Sequence, residues 1–285
     1  MKTNICTLFF LSLLASVAVA QEREMKIASF NIRYSNDSDY KAGNGWQNRC
    51  PVVASMIQFY DWDIIGAQEC LINQLNDLKP LLPAYDFIGV GREDGNTAGE
   101  YAAIFYKTAK YTVLNQGHFW LSKTPDVPSV GWDAVLKRIC TWVQLEEKST
   151  GFRFFAFNLH YDHKGEKSRR LASELTLQKI REIAGNNPVM LTGDFNQDQD
   201  SEGYKTFLSS GFLYDSYLYA PVIYVPNGTF NAFHFDTISR QRIDHVFISA
   251  AFRVQRYGIL TDIYWHDQAP HFPSDHFPVM VVLNY

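Results

Sequence analysis

Six short stretches of this chain end an apolar run with groups that can bind a cation or move a proton. Ile27-Ala28-Ser29-Phe30 delivers Asn31, and Ile64-Ile65-Gly66-Ala67 delivers Gln68 and Glu69. Residues 154–157 run into Asn158-Leu159-His160, and residues 189–192 into Gly193-Asp194-Phe195-Asn196. Ile243 leads into Asp244 and His245, while Ser274-Asp275-His276 precedes Phe277-Pro278-Val279. A single aspartate after a strand is most often a turn or cap residue. Six such arrivals are another matter, because carboxylates brought to the edge of a core need partners, and one divalent cation satisfies several at once. The donors are oxygens of Asn, Glu and Asp with no cysteine among them, which suits Mg2+, Mn2+ or Ca2+ better than Zn2+. Histidines beside carboxylates suit proton transfer or stabilisation of developing charge. A hard cation with Asp–His and Asp-x-Asn pairs points to hydrolysis of a phosphate ester.

The elements that would carry these groups are mostly strands. Alternating or continuous apolar runs bounded by turn residues predict strands over 25–34, 63–68, 102–106, 111–120, 138–146, 153–159, 189–192, 243–249, 253–260 and 278–283. Helices are expected over 49–59, 71–81, 168–183 and 201–210, the third with Leu171, Leu175, Ile180 and Ile183 near helical spacing. Several neighbouring strands are joined by short turns, which excludes a simple βαβ series. Mixed sheets packed face to face with helices outside is the economical α/β architecture. No linker, short repeat or low-complexity tract interrupts it, so residues 21–285 are expected to form one domain. The glycine-punctuated stretch 91–99, with Arg92, Glu93 and Asp94, reads as a mobile loop beside the site.

Residues 1–20 read differently. Lys2 is followed by an apolar stretch, 8–19, too short to span a bilayer comfortably, and Ala18-Val19-Ala20 offers a small-x-small cleavage site. A cleaved leader, cut after Ala20, and a secreted or periplasmic mature chain are expected, with no stable membrane insertion. Loss of Lys2 takes the formal charge from −4 to −5, which argues against tight, non-specific binding of a polyanion. Cys50, Cys70 and Cys140 would remain, an odd number that leaves at least one thiol unpaired; a Cys50–Cys70 bridge is open.

The ordered set Ser29-Phe30-Asn31, Gln68-Glu69, Asn158-Leu159-His160, Gly193-Asp194-Phe195-Asn196, Arg242-Ile243-Asp244-His245 and Ser274-Asp275-His276-Phe277-Pro278-Val279 resembles the motifs of the endonuclease/exonuclease/phosphatase family. The resemblance spans nearly the whole mature chain. It implies a DNase I-like fold, a four-layered α/β sandwich of two mixed sheets with the site at one end. It further implies Mg2+ or Mn2+ held chiefly by Glu69, assisted by Asn31 and Asp275. Asp194 would orient or deprotonate the attacking water, and Asn196 would hold a phosphate oxygen. His276, oriented by Asp244, would stabilise the pentacovalent phosphate or act as the base, and His160 would contact the phosphate from the other side. Arg138 and His163 are candidates to bind substrate, although a strand-start arginine is as readily a surface residue. Trp46, Trp120 and Trp132 read as packing before stacking platforms. Residues 240–245 lack the inositol phosphatase signature, and 119–126 with 138–142 resemble an uncharacterised bacterial subgroup nearest to deadenylase-type and sphingomyelinase-like proteins. A secreted phosphoesterase of small molecules or lipid headgroups is the leading expectation. An extracellular nuclease, endonucleolytic or a deadenylase-like 3′–5′ exonuclease on DNA or RNA, is the alternative, and a non-catalytic binding module the reading from another class. A phosphate-ester substrate is the one partner expected.

Overall fold

A computed structural model describes residues 23–236 and 239–285; the expected leader lies outside them. The first half contains β1 (Glu24–Asn31), α1 (Asp37–Lys41), α2 (Trp46–Tyr60), β2 (Ile64–Cys70), α3 (Ile72–Leu78), β3 (Tyr85–Ile88), β4 (Tyr101–Lys107), β5 (Tyr111–Trp120) and β6 (Ile139–Glu147). Then follow β7 (Arg153–His160), α4 (Glu166–Ala184), β8 (Val189–Asp194), α5 (Glu202–Leu208), β9 (Tyr214–Asp215), α6 (Ser216–Tyr219) and β10 (Ile223–Tyr224). The chain closes with β11 (Asp244–Ile248), β12 (Arg253–Ile259), β13 (Tyr264–His266), β14 (Ala269–His271) and β15 (Val279–Asn284).

Seven strands form one sheet in the order β10-β12-β15-β1-β2-β4-β3, and six form the other as β5-β6-β7-β8-β11-β9. The alternation of side chains along a strand sorts the residues into layers. Met25, Ile27, Ile64, Phe154, Ala156, Met190, Val246 and Val281 share the core between the sheets. Their neighbours Ala28, Phe30 and Ile65 face the other way, onto α2 and α3 through Val53, Ile57, Leu75 and Leu78. On the far side Phe155, Phe157, Leu191 and Phe247 meet α4 and α5 through Ala172, Leu177, Ile180 and Phe207. The result is helices, sheet, sheet, helices. In α4 the buried face runs through Ser173, Thr176, Leu177 and Ile180, so Leu171 and Leu175 flank it instead of leading it.

The inter-sheet face changes character along its length. Beyond the apolar core the same positions become Ser29, Gly66, Gln68, Asn158 and Thr192. Asn158 is fully buried and bridges the sheets: its Nδ2 donates to the carbonyls of Ala67 and Ala103, both at 2.9 Å. Its Oδ1 accepts from Gln68 Nε2 at 2.6 Å and Thr192 Oγ1 at 3.1 Å. Only glycine fits opposite, since a Cβ on Gly66 would collide with Thr192 Oγ1 and the Asn158 amide. One step further along are the chemical groups.

The expected strand over 25–34 stops at Asn31, because Arg33 turns to φ 58. The stretch 91–99 is a built loop: Arg92 N donates to Glu100 O, Glu93 N to Ala98 O, and Asp94 Oδ1 accepts from Asn96 and Ala98. The expected mobility has no counterpart in that bonding. Cys50, Cys70 and Cys140 are all free and buried, so the Cys50–Cys70 bridge is not formed. Trp46 and Trp120 are buried, with their ring N–H groups donating to Asp77 and to the Arg92 carbonyl. Among the described residues no helix is long and apolar enough to cross a membrane.

Candidate active site

Register brings three of the chemical groups into one row. His160 on β7 lies beside Asp194 on β8, and Asp194 opposite Asp244 on β11. Each lies an even step from the inward-facing apolar positions of its own strand, His160 and Asp194 after them and Asp244 before Val246, so all three side chains emerge at the mouth of the inter-sheet layer. Asn31 emerges likewise from β1. Glu69 does not follow this rule: regular alternation would send it toward the helix layer. A bulge between Ala67 and Cys70, with Glu69 at φ 61, turns it into the cleft instead. Asp275 and His276 come from the loop before β15, where Asn231 N and Ala232 N both donate to the Asp275 carbonyl.

Asn31 Nδ2 donates to Glu69 Oε1 at 3.1 Å and to Asp194 Oδ2 at 2.9 Å, while its Oδ1 accepts from Arg33 N. Asp194 Oδ1 accepts from Asn196 N at 2.9 Å. The Asn196 amide, held at φ 48, donates to the Tyr161 carbonyl and lies 3.0 Å from His160 Nε2. His276 Nδ1 is 2.9 Å from Asp244 Oδ2, and its Nε2 faces Asp194 Oδ2 at 3.7 Å. Burial opposes charge on His276, yet Asp244 and then Asp194 hold it well above an ordinary imidazole. His160 goes the other way, pulled well below by burial and by Arg138 and Arg92. The two imidazoles are thus pushed in opposite directions, His276 toward the cation and His160 toward the neutral form.

The carboxylates fit a divalent cation. Burial, reinforced by Asp244 and opposed by His276, lifts Asp194 to about 7. Burial likewise lifts Asp275 to about 6 despite His276 and Arg33 nearby. Carboxyls kept this far above their usual range are short of positive charge, and the donors are hard oxygens.

The cleft around these groups encloses about 330 Å3 and is lined by Arg33, Tyr34, Glu69, Glu100, Leu136, Arg138, His160, His163, Asp194, Asn196, Phe230, Asp275 and His276. Arg138 is 4% exposed, not a surface residue, with Nη2 3.1 Å from His163 Nδ1 and Nε 3.5 Å from Asp162 Oδ2. Asp162 also accepts from Val135, Leu136, Lys164 and Gly165 amides, so one carboxylate sets both Arg138 and His163. Eight of the ten residues singled out from the sequence line this cleft; Asn31 joins it through Glu69 and Asp194, and Asp244 through His276. Four others went unread. Glu100 takes both Arg92 Nη atoms at 2.6 and 2.8 Å and lies 3.7 Å from His160 Nδ1. Thr229 Oγ1 accepts from the Ile243 and Asp244 amides. Phe230 packs its ring 5.0 Å from His276. Arg33 lies against Asp275 and Glu69. The acidic residue just before β4, Glu100 ahead of Tyr101, carried the one readable signal.

Behind the row, His245 is a structural residue. Its Nε2 donates to the Gln197 carbonyl at 3.1 Å and its ring lies among Phe195, Tyr204 and Phe247. Burial lowers it from 6.5 to about 4. The unfolded chain then binds a proton that the native state refuses, so this contribution is complete above pH 6.5 and is lost as pH falls toward 4. Denaturant titrations at pH 7.0 and 4.5 should show the wild type losing more stability than His245→Gln, by an amount on the order of 3 kcal/mol at the limit. Parallel losses would remove His245 as the cause.

The family model described as the Endonuclease/Exonuclease/phosphatase family matches residues 28–276. A crystal structure of a protein of that family from Bacteroides thetaiotaomicron is 50% identical, covering 93% of this chain and 99% of that one at a TM-score of 0.90. A mannosyl-6-phosphatase from Bacteroides thetaiotaomicron VPI-5482 is also 50% identical, over 92% of this chain and 100% of that one, with a TM-score of 0.89. A Bacteroides vulgatus endonuclease/exonuclease/phosphatase is 40% identical over 92% and 98%, with a TM-score of 0.83.

Proposed function

Because the chain belongs to the endonuclease/exonuclease/phosphatase family, we propose that it is a phosphomonoesterase that removes the phosphate from a sugar 6-phosphate with Mg2+ or Mn2+. It is a DNase I-like α/β sandwich and a hydrolase of phosphate esters. The observation that carries the finer reading is the cleft itself. At about 330 Å3 it lies at the small end of ligand pockets, roughly 300–1,000 Å3, and suits one phosphate and one ring better than a polynucleotide strand. Phe230 and Leu136, 39% and 37% exposed, give its lining two half-open apolar surfaces suited to the C–H face of a sugar. The 50% identical mannosyl-6-phosphatase supports the same substrate class. A leader over residues 1–20, cut after Ala20, would put this activity outside the cytoplasm.

Glu69 and Asp275, with Asn31 beside them, would hold the cation. The chemistry a divalent ion would supply there is polarisation of a phosphoryl oxygen and compensation of the charge that develops on it. Asp194, fixed by the Asn31 amide and the Asn196 N–H, takes the proton of the attacking water. His276, kept protonated by Asp244, donates to a phosphoryl oxygen where negative charge grows. Asn196 and His160 complete the opposite wall, and Arg138 with His163 grips the phosphate. Water adds to phosphorus and the ester P–O bond breaks; the leaving oxygen takes a proton from solvent so that the sugar departs as its alcohol, and Asp194 returns the water's proton to solvent.

The mature chain should release inorganic phosphate from hexose 6-phosphates, stop on chelation, and recover with Mg2+ or Mn2+. Shortening of labelled DNA or RNA without phosphate release would instead make it a nuclease. No turnover of any phosphate ester by the metal-loaded protein would end the reading.

A further inference from the structure

Arg33 is placed at unusual cost. It is a non-glycine residue at φ 58, a conformation that strains an ordinary side chain. Five hydrogen bonds hold it there, three to its backbone and two to its guanidinium. Its N–H donates to Asn31 Oδ1 at 3.0 Å, and its carbonyl accepts from Gln74 Nε2 at 3.0 Å and Arg49 Nη2 at 3.1 Å. Arg49 is fully buried and also binds the carbonyls of Ile32, Asn44 and Pro273, which ties the turn to the loop that presents Asp275. The other two form the side-chain anchor: Nε donates to Asp39 Oδ2 at 2.8 Å, backed by Nη2 to Oδ1 at 3.3 Å. Asp39 itself is set by Asn36, whose Oδ1 caps α1 and whose Nδ2 binds Asp39 Oδ2 at 2.7 Å.

One end of the guanidinium is therefore fully committed and the other is not. Nη1 makes no hydrogen bond among the described residues. It lies 3.5 Å from Asp275 Oδ2 and 4.0 Å from Glu69 Oε2, on the wall of the catalytic cleft. A bare counter-ion to those carboxylates would gain by closing to hydrogen-bonding distance. A donor held just short of them, anchored from behind and aimed into the cleft, is arranged for an anion that arrives later.

We propose that Arg33 is a phosphate-binding residue, a second guanidinium of the cleft that grips the terminal dianionic phosphate together with Arg138. This rests on the phosphomonoesterase reading for its substrate but concerns binding, so the two can fail separately. The ligand probe is inorganic phosphate, titrated calorimetrically into the Mn2+-loaded chain, with Mn2+ affinity measured in parallel. Arg33→Met should weaken phosphate by about thirtyfold to a hundredfold, as expected for a lost charge-assisted contact. Mn2+ should bind as tightly as before or tighter, since a positive charge beside Glu69 and Asp275 has gone. Arg33→Gly relieves the backbone strain and should match Arg33→Met in phosphate binding while melting no lower than wild type. Asp39→Asn, which loosens the anchor and leaves the turn intact, should fall between. Unchanged phosphate affinity in Arg33→Met and Arg33→Gly would overturn the proposal. So would a parallel fall in Mn2+ affinity, which would make Arg33 a brace for the metal ligands. Phosphate binding that depends on Arg33 in a chain with no monoesterase activity would leave this inference standing and sink the other.

Discussion

Asp194→Asn is expected to lower kcat at least about a thousandfold, the scale of losing a positioned proton acceptor in a preorganised site, with KM changed only a few-fold. Asp194 joins both histidines to both asparagines of the site: it lies against the Asn31 amide, the Asn196 N–H, His160 at 3.4 Å and His276 at 3.7 Å. The amide keeps shape and one acceptor oxygen but cannot take a proton. Because burial works against the native carboxylate, the variant should melt at the same temperature as wild type or higher, a stability gain commonly seen when a strained site is relieved. Steady-state kinetics on a hexose 6-phosphate and a melting curve test both halves. A variant that retains a tenth of wild-type kcat would remove Asp194 from proton transfer, and one that melts well below wild type would make the loss uninformative.

Asn158→Leu is expected to have the largest effect on stability. The substitution roughly preserves volume and deletes four hydrogen bonds at once in a fully buried layer: the Ala67 and Ala103 carbonyls lose this donor, while Gln68 Nε2 and Thr192 Oγ1 each lose one acceptor and keep others at Ser29, Gly66 and Phe157. Buried polar groups deprived of a partner cost about 1–3 kcal/mol each before relaxation, so a loss on the order of 4 kcal/mol is a moderate estimate once partial rescue is allowed. For a domain of this size that lowers Tm by roughly 8–16 °C. Calorimetry settles it. A drop of under about 2 °C, below 1 kcal/mol on the same scale, would mean that the sheets do not depend on this bridge.

Much of this was legible because one rule, two-residue alternation, both builds the core and aims the site. Residues 25, 27, 29 and 31 share a face whether or not the fold is known, as do 154, 156, 158 and 160. Reading where the apolar positions end therefore found Asn31, His160, Asp194 and Asp244 together with their strands. Glu69 was found by its position after an apolar run, but alternation alone would have sent it to the wrong face; a left-handed residue in a bulge is invisible in a string of letters. Arg33, Glu100, Thr229 and Phe230 were missed for a related reason. They reach the cleft through turns and cross-chain pairs such as Arg92–Glu100, which no local period records. The short strands β3, β9, β10, β13 and β14 escaped because two to four residues carry too little pattern to separate from a loop.

The change of character along the inter-sheet face also bears on how such a molecule can diverge. Asn31, His160, Asp194 and Asp244 are paired residues at strand ends and Glu69 sits in the bulge of β2, so the paired amides should exchange with solvent more slowly than those of the connecting loops. Arg33, Arg138, His163 and Phe230 stand outside the strands, on connections that tolerate insertion and replacement. On the proposed roles, hydrolysis would be written into the strands that also build the core, and choice of substrate into the connections between them. A lineage built on this plan can trade one phosphate ester for another by rewriting its loops, at little risk to the chemistry beneath them.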